Sequence, residues 1–259
     1  MKKSKKYWIK RTLQSEEKAF LEGKKLSKRY EAMYVRSYNR VNRELERLAA
    51  KASVGINDLT NTEVYDYGRM LNLREIIEKE FLDTTITMQT QAEKTLLRVY
   101  NGTLKQTAKD FDLSFIRPNE FQAKAVVNEV YKGSNYSERI WKNNNELATR
   151  IQADMERMIM QGRSPSTISK QLQTDFNTGY SNANRLVRTE ASRVYNTAKE
   201  ESYRQFGIDQ VEFLAESGAC HVCGEHNGQT YSTSVAPSVP VHPNCRCVYL
   251  PVVPDLEEE

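Results

Sequence analysis

The chain has 259 residues, with 38 lysines and arginines against 34 aspartates and glutamates, and its formal net charge is +4 at pH 7. Counted with glycine and without tyrosine, apolar residues make up about 38% of the chain, below the ~45–50% of an average globular domain. No stretch approaches the ~18 consecutive apolar residues of a membrane span, and the lysine-rich start leads into no apolar signal segment. We therefore expect no membrane partner and no export by a signal peptide.

The small net charge conceals a marked asymmetry along the chain. Residues 1–51 contain 16 lysines and arginines against 6 acidic residues, whereas residues 52–259 contain 22 against 28. One end is therefore basic and the remainder mildly acidic.

Apolar residues recur at helical spacing through the first four fifths of the chain. The pattern predicts a mainly α fold: an elongated multi-helix body with a small C-terminal β module. Gly179 is placed to end the predicted helix 165–178, and Gly68 and the β-branched run 84–87 can split the predicted helix 62–109. The predicted helices cover residues 15–52, 62–109, a short segment from 119, 137–161, 165–178 and 181–206.

The character of the chain changes after Gly207. Five of the seven prolines, all four cysteines and all three histidines lie beyond it, and three short β-prone runs, 211–214, 229–232 and 247–250, predict a small meander. We accordingly divide the chain into a charged helical region (1–136), a second helical region (137–206) and a Cys/His module with an acidic tail (207–259).

The cysteines and histidines have the spacing of a structural zinc site. Cys220 and Cys223 form a Cys-x2-Cys turn followed by glycine, which lets two thiolates converge on one ion. A second group of ligands, 242–247, follows 18 residues after Gly224. Disulfides or free thiols are the weaker interpretation, because thiols stay reduced in the cytosol. The sequence therefore predicts a closed, structural zinc site.

Five side chains compete for the four positions of a tetrahedral site. We expect Cys220, Cys223 and Cys245 as ligands, completed by either His242 or Cys247.

Several short runs in the second half of the chain occur together and in a fixed order: 184–191, Tyr195-Asn196, Cys220-x2-Cys223, 227–231 and His-Pro-Asn-Cys-Arg-Cys at 242–247. In this combination the sequence resembles the minor head protein, or head-morphogenesis, family of tailed bacteriophages, to which the F protein of phage Mu belongs. The resemblance covers roughly residues 145–250. It implies a low-copy virion component in the capsid interior or at the portal vertex, made in the host cytoplasm. Its implied partners are the portal protein and the major capsid or scaffold protein, with a role in DNA packaging or ejection.

The main alternative is an enzyme, a zinc-module nuclease of the His-Asn-His type. His226-Asn227 and His242-Pro243-Asn244 offer the necessary residue types. Such a site also needs a following helix that brings another ligand to a divalent ion, and two prolines after residue 250 disfavour that helix. We therefore expect a protein that is not an enzyme.

Two further groups of residues have both a structural and a functional interpretation. Arg188, Thr189 and Glu190 are either an ordinary helix surface or a buried arrangement that fixes the last helix against the Cys/His module; the resemblance favours the second. The basic N-terminal residues are either a solvated face or an arm that contacts double-stranded DNA. The candidate DNA contacts are Lys2, Lys3, Lys5, Lys6, Lys10 and Arg11.

Overall fold

A computed structural model describes residues 3–52, 59–115, 118 and 120–253. Six helices and three short strands occur in it, so the fold is mainly α with a small C-terminal sheet, as predicted. The part of the chain that it describes contains no helix that is both long and apolar enough to cross a membrane. The elements are α1 (Lys5–Ala52), α2 (Leu59–Asp110), α3 (Glu120–Val127), α4 (Tyr136–Met160), α5 (Pro165–Gln205), β1 (Gln210–Leu214), α6 (His221–His226), β2 (Thr230–Ser232) and β3 (Val248–Pro251).

The chain forms two compact units, each built from separate stretches of sequence. Unit 1 comprises Met1–Leu26, Ala92–Tyr136 and Arg185–Glu259, and unit 2 comprises Ser27–Gln91 and Ser137–Asn184. The predicted division after residue 136 coincides with a change of unit, whereas the division after residue 206 does not. The three-region division stays a prediction about sequence character.

Helix α1 begins ten residues earlier than its apolar pattern predicts. The Ser4 hydroxyl accepts a hydrogen bond from the backbone N–H of Tyr7 at 3.3 Å, which caps the first turn. Trp8 is buried and packs on Phe111, with ring centroids 4.4 Å apart. Tertiary packing within unit 1 therefore stabilises a helical start that looks merely basic in the sequence.

The predicted break of α2 at the threonine run does not occur. Thr85 and Thr87 donate their hydroxyls to the carbonyls four residues earlier, at 2.6 and 2.8 Å. These back-bonds satisfy the hydroxyl groups within the helix. The β-branched run is therefore accommodated, and α2 is continuous from Leu59 to Asp110.

The predicted helix end at Gly179 is also wrong, because α5 runs without interruption from Pro165 to Gln205. A Cβ atom at Gly179 would overlap the side chain of Leu147 and approach Tyr34 to 3.5 Å. Glycine at this position therefore serves the close approach of α5 to α4 and α1 inside unit 2, and it does not terminate the helix.

The three predicted strands form one antiparallel sheet, but the order is β2-β1-β3. The central strand is therefore β1, which pairs Val211 with Tyr231 of β2 and Phe213 with Tyr249 of β3. A meander would place β2 in the centre, so that part of the prediction is wrong. Because β1 is central, β3 lies directly beside it, and the cysteines that precede β3 join the core formed by Tyr203, Phe213 and Tyr249.

Candidate metal centre

The first pair of cysteines is positioned by the short helix α6. Cys220 immediately precedes the helix in an extended conformation, and Cys223 lies in its first turn. The N–H of Gly224 donates to the carbonyl of Cys220 at 2.8 Å, which closes the turn between them. Cys220 is exposed and Cys223 is buried, so the pair leads from the surface into the core of the module.

The second group of candidate ligands sits on a tight turn before β3. The N–H of Cys245 donates to the carbonyl of His242 at 3.2 Å. Asn244 has a φ of 65°, a left-handed conformation that asparagine adopts more readily than most residues. The turn directs both His242 and Cys245 back towards Cys223.

All five predicted candidates are clustered and can hold a metal ion. They form two overlapping groups that share Cys223, one with Cys220 and His242 and the other with Cys245 and Cys247. The Nε2 atom of His242 lies 3.2 Å from the sulfur atoms of both Cys220 and Cys223, and the sulfurs of Cys223 and Cys245 are 3.8 Å apart. Sulfur atoms bound to one tetrahedral zinc are about 3.8 Å apart, given Zn–S bonds of ~2.3 Å.

The hydrogen bonds at the centre favour metal binding by His242 and Cys245. The Nδ1 atom of His242 lies 2.9 Å from the carbonyl oxygen of Pro243. A proton on Nδ1 leaves Nε2, the atom that faces the thiols, as a free lone pair. A hydrogen bond from the Cys247 thiol lowers the pKa of Cys245 to about 5, whereas burial raises the pKa of Cys223 to about 12.

The other two histidines lie outside the cluster. His221 is exposed and lies 3.4 Å from the carboxylate of Glu225. The Nδ1 atom of His226 lies 2.7 Å from the hydroxyl of Tyr231. Neither residue belongs to the two groups of candidate ligands found among the described residues.

The structure separates the roles of Thr189 and Glu190. The Thr189 hydroxyl accepts a hydrogen bond from the N–H of Asn244 at 3.1 Å, which connects α5 to the turn that carries His242 and Cys245. Glu190 pairs with Arg193 at 2.8 Å, and both side chains are buried. Arg188, the arginine singled out in the sequence, lies 5.5 Å from the ring of Phe20. The arginine of the buried pair is therefore Arg193.

Arg193 and Arg246 were both missed in the sequence. Arg193 donates to the carbonyls of Val126 and Val127 at 3.0 and 2.9 Å, and so caps the C-terminal end of α3. Arg246 pairs with Glu16 at 2.6 Å and with Glu17 at 3.0 Å. In the sequence, the only indication that Arg246 has a role is its position between two cysteines. The fold is needed to show that its partners, Glu16 and Glu17, lie on α1.

Several of the candidate DNA-binding residues are occupied by contacts within unit 1. Lys3 pairs with Asp112, Lys5 with Glu212 at 2.7 Å and Arg11 with Asp110 at 2.5 Å. Lys6 and Lys10 are exposed, and Lys2 lies outside the described residues. These contacts give Lys3, Lys5 and Arg11 a role in packing α1 against its neighbours.

The comparisons with known proteins agree with the predicted resemblance. The family model described as phage Mu protein F like protein matches residues 149–250. These residues contain α5, the sheet except for the last residue of β3, and all five candidate ligands. No curated protein and no solved structure gives a significant match.

Proposed function

Since residues 149–250 match the family model described as phage Mu protein F like protein, we propose that this chain is a phage minor head protein. It is a low-copy, non-enzymatic component of the virion, in the capsid interior or at the portal vertex. It assembles in the host cytoplasm, docks on the portal or on the major capsid or scaffold protein, and acts in DNA packaging or ejection. The observation that carries this proposal is the family match, which includes every residue of the Cys/His cluster.

The proposed metal is zinc, because the cluster consists of four thiols and one imidazole, with no carboxylate among the described residues that form it. The ligand set that the contacts favour is Cys220, Cys223, His242 and Cys245. Cys247 then supports the site, since its thiol lies within 4.8 Å of the thiols of Cys223 and Cys245. Bound zinc would supply structural cross-linking.

The residues of the Cys/His module connect its short elements to one another and to the neighbouring helices. The cluster joins α6 to the turn before β3, Thr189 joins that turn to α5, and Arg246 joins it to α1. The three strands have only 5, 3 and 4 residues, so the sheet depends on packing against its neighbours. The module therefore presents a fixed surface to a head protein only when these links are made.

Composition analysis of purified virions tests the proposed function. Quantitative mass spectrometry of particles from the phage that encodes the chain should find it at a few copies per head. A Cys223→Ser variant should be depleted from heads, while the exposed His221→Ala variant should be retained. A chain absent from both procapsids and virions would contradict the proposal.

A plasmid-nicking assay with Mg²⁺ and Mn²⁺ separates this function from that of a nuclease. We expect no metal-dependent cleavage, because the Nε2 atom of His242 faces two thiols and no helix follows β3 up to residue 253. Cleavage that is abolished by His242→Ala but not by Cys220→Ser would favour the nuclease.

A further inference from the structure

Arginines line one face of α1 within unit 2. The arginine face consists of Arg29, Arg36, Arg40, Arg43 and Arg47, which follow one another at intervals of 7, 4, 3 and 4 residues. At 100° per residue these positions fall within an arc of about 60°, and they extend over about 27 Å of helix. All five side chains are exposed to solvent.

Internal ion pairs neutralise only part of this face. Arg40 pairs with Glu80 and Arg47 with Glu44, although their side chains remain 62% and 70% exposed. Arg43 donates to the carbonyl of Asn39 in its own helix. Within the described part of the chain, the side chains of Arg29 and Arg36 have neither an ion pair nor a hydrogen bond. The guanidinium groups of Arg29, Arg36 and Arg43 are therefore not neutralised by a carboxylate.

The chemistry of the face favours phosphate over a protein partner. The guanidinium fork matches the oxygens of a phosphate group and is always charged. The residues on or beside the arc are small or polar, such as Ala32 and Asn39. Hot spots of protein interfaces combine such arginines with tryptophan and tyrosine at their centre, and this face offers no exposed aromatic side chain.

We infer that the arginine face binds the phosphate backbone of double-stranded DNA without sequence preference. The inference rests on the proposed function, and it assigns to the second half of α1 a DNA contact that the sequence analysis placed only on residues 2–11. Lys3 and Arg11 are partly buried in ion pairs of unit 1, whereas Arg29, Arg36 and Arg43 have no carboxylate partner among the described residues.

A salt titration of DNA binding by the full chain tests the assignment. The probe is a 30-base-pair duplex of arbitrary sequence, and the variant is R29Q/R36Q/R43Q, which breaks none of the ion pairs described above. Each lost phosphate contact lowers the slope of log K against log salt by ~0.9. We expect the slope to fall by about 2–3 and the affinity at 100 mM salt to fall about 10-fold or more.

The matched control removes the same charge elsewhere in unit 2. The K142Q/R163Q/K170Q variant changes three exposed cations on α4, on α5 and in the turn between these helices, and it should keep the slope within about 0.5 of the wild-type value. Equal losses in both variants would show a non-specific charge effect and overturn the assignment. No loss in the arginine variant, or no DNA binding by the wild-type chain, would also overturn it.

Virion incorporation distinguishes failure of this inference from failure of the proposed function. An arginine variant that binds DNA normally but is excluded from heads would assign the face to a head protein and overturn the DNA assignment. A wild-type chain that binds DNA through this face yet is absent from virions would leave the inference intact and refute the function.

Discussion

Arg246 links the turn that carries His242 and Cys245 to α1, because its side chain points away from the cysteines on either side. Cys245 and Cys247 are buried in the core of the module, and the residue between them emerges on the opposite side. Its guanidinium stacks on Phe20 at 3.8 Å from the ring centroid and pairs with Glu16 and Glu17. Burial raises the pKa of Glu16, and the hydrogen bond from Arg246 opposes that shift.

Replacement of Arg246 by alanine should lower the free energy of unfolding by about 2–4 kcal/mol, because Glu16 is left partly buried without its counter-ion and the stacking on Phe20 is lost. Chemical denaturation of the full chain measures the effect. The exposed Arg204→Ala variant is the control and should change stability by no more than ~0.5 kcal/mol. An Arg246→Ala chain as stable as the control would refute the proposed link.

Lys199 is a buried cation whose removal should stabilise the fold. Desolvation lowers its pKa to about 8, although the nearby carboxylate of Asp110 opposes that shift. The unfolded value is ~10.4, so between pH 8 and 10.4 the unfolded chain binds more protons than the folded chain. The contribution of Lys199 to stability is therefore least favourable below pH 8 and improves as the pH rises to 10.4.

Lys199→Met should consequently raise the free energy of unfolding at pH 7 by about 1–3 kcal/mol. The difference from the wild-type chain should shrink as the pH approaches 10.4. Thermal unfolding of both chains at pH 7, 8, 9 and 10 provides the test. A difference that is constant across the series would show that the pKa of Lys199 is not depressed.

At the scale of elements, Gly179 decides how closely α5 packs within unit 2. Gly179→Ala should destabilise the chain by about 1–3 kcal/mol, because the new methyl group overlaps Leu147 and extra volume in a packed core forces side chains to shift. The Leu147→Ala background should reduce the penalty, since it removes the overlapping atoms. Equal costs of Gly179→Ala in the two backgrounds, measured as a double-mutant cycle, would contradict this explanation.

The existence of the helices could be predicted because amphipathic spacing is local, but their ends depend on tertiary contacts. Gly179 reads as a helix stop, and only the position of Leu147 shows that it is a packing residue. The start of α1 depends on Trp8 meeting Phe111, which is more than one hundred residues away in the sequence. The strand order was likewise inaccessible, since three short strands can pair in several orders.

The clustering of the candidate ligands was the most predictable feature, because residue type and spacing carry the signal directly. The sequence predicts Cys220, Cys223, His242, Cys245 and Cys247 as candidates, and the structure brings them together. Glu16 and Arg193 were not predictable, because their contacts with Arg246 and with the end of α3 exist only in the folded chain.

For the molecule as a whole, metal binding should be coupled to the docking of the first part of α1 within unit 1. The turn that carries His242 and Cys245 also carries Arg246, which holds Glu16. Removing the metal frees this turn and weakens that link. Trp8, which is buried at the start of the same helix, reports on the docking.

Chelation should therefore increase the accessibility of Trp8. In a Trp141→Phe background, Trp8 is the sole tryptophan, and its quenching by acrylamide should rise at least twofold after the metal is stripped. Arg246→Ala should show raised quenching before chelation. Quenching that chelation leaves unchanged would show that the metal centre and α1 are independent.

The metal content of the purified full-length chain is the decisive measurement. Elemental analysis with native mass spectrometry should find one zinc ion per chain, retained by the His221→Ala variant and lost from the Cys223→Ser variant, whose position is shared by both groups of ligands. A wild-type chain that folds without metal and has four freely reactive thiols would contradict the account.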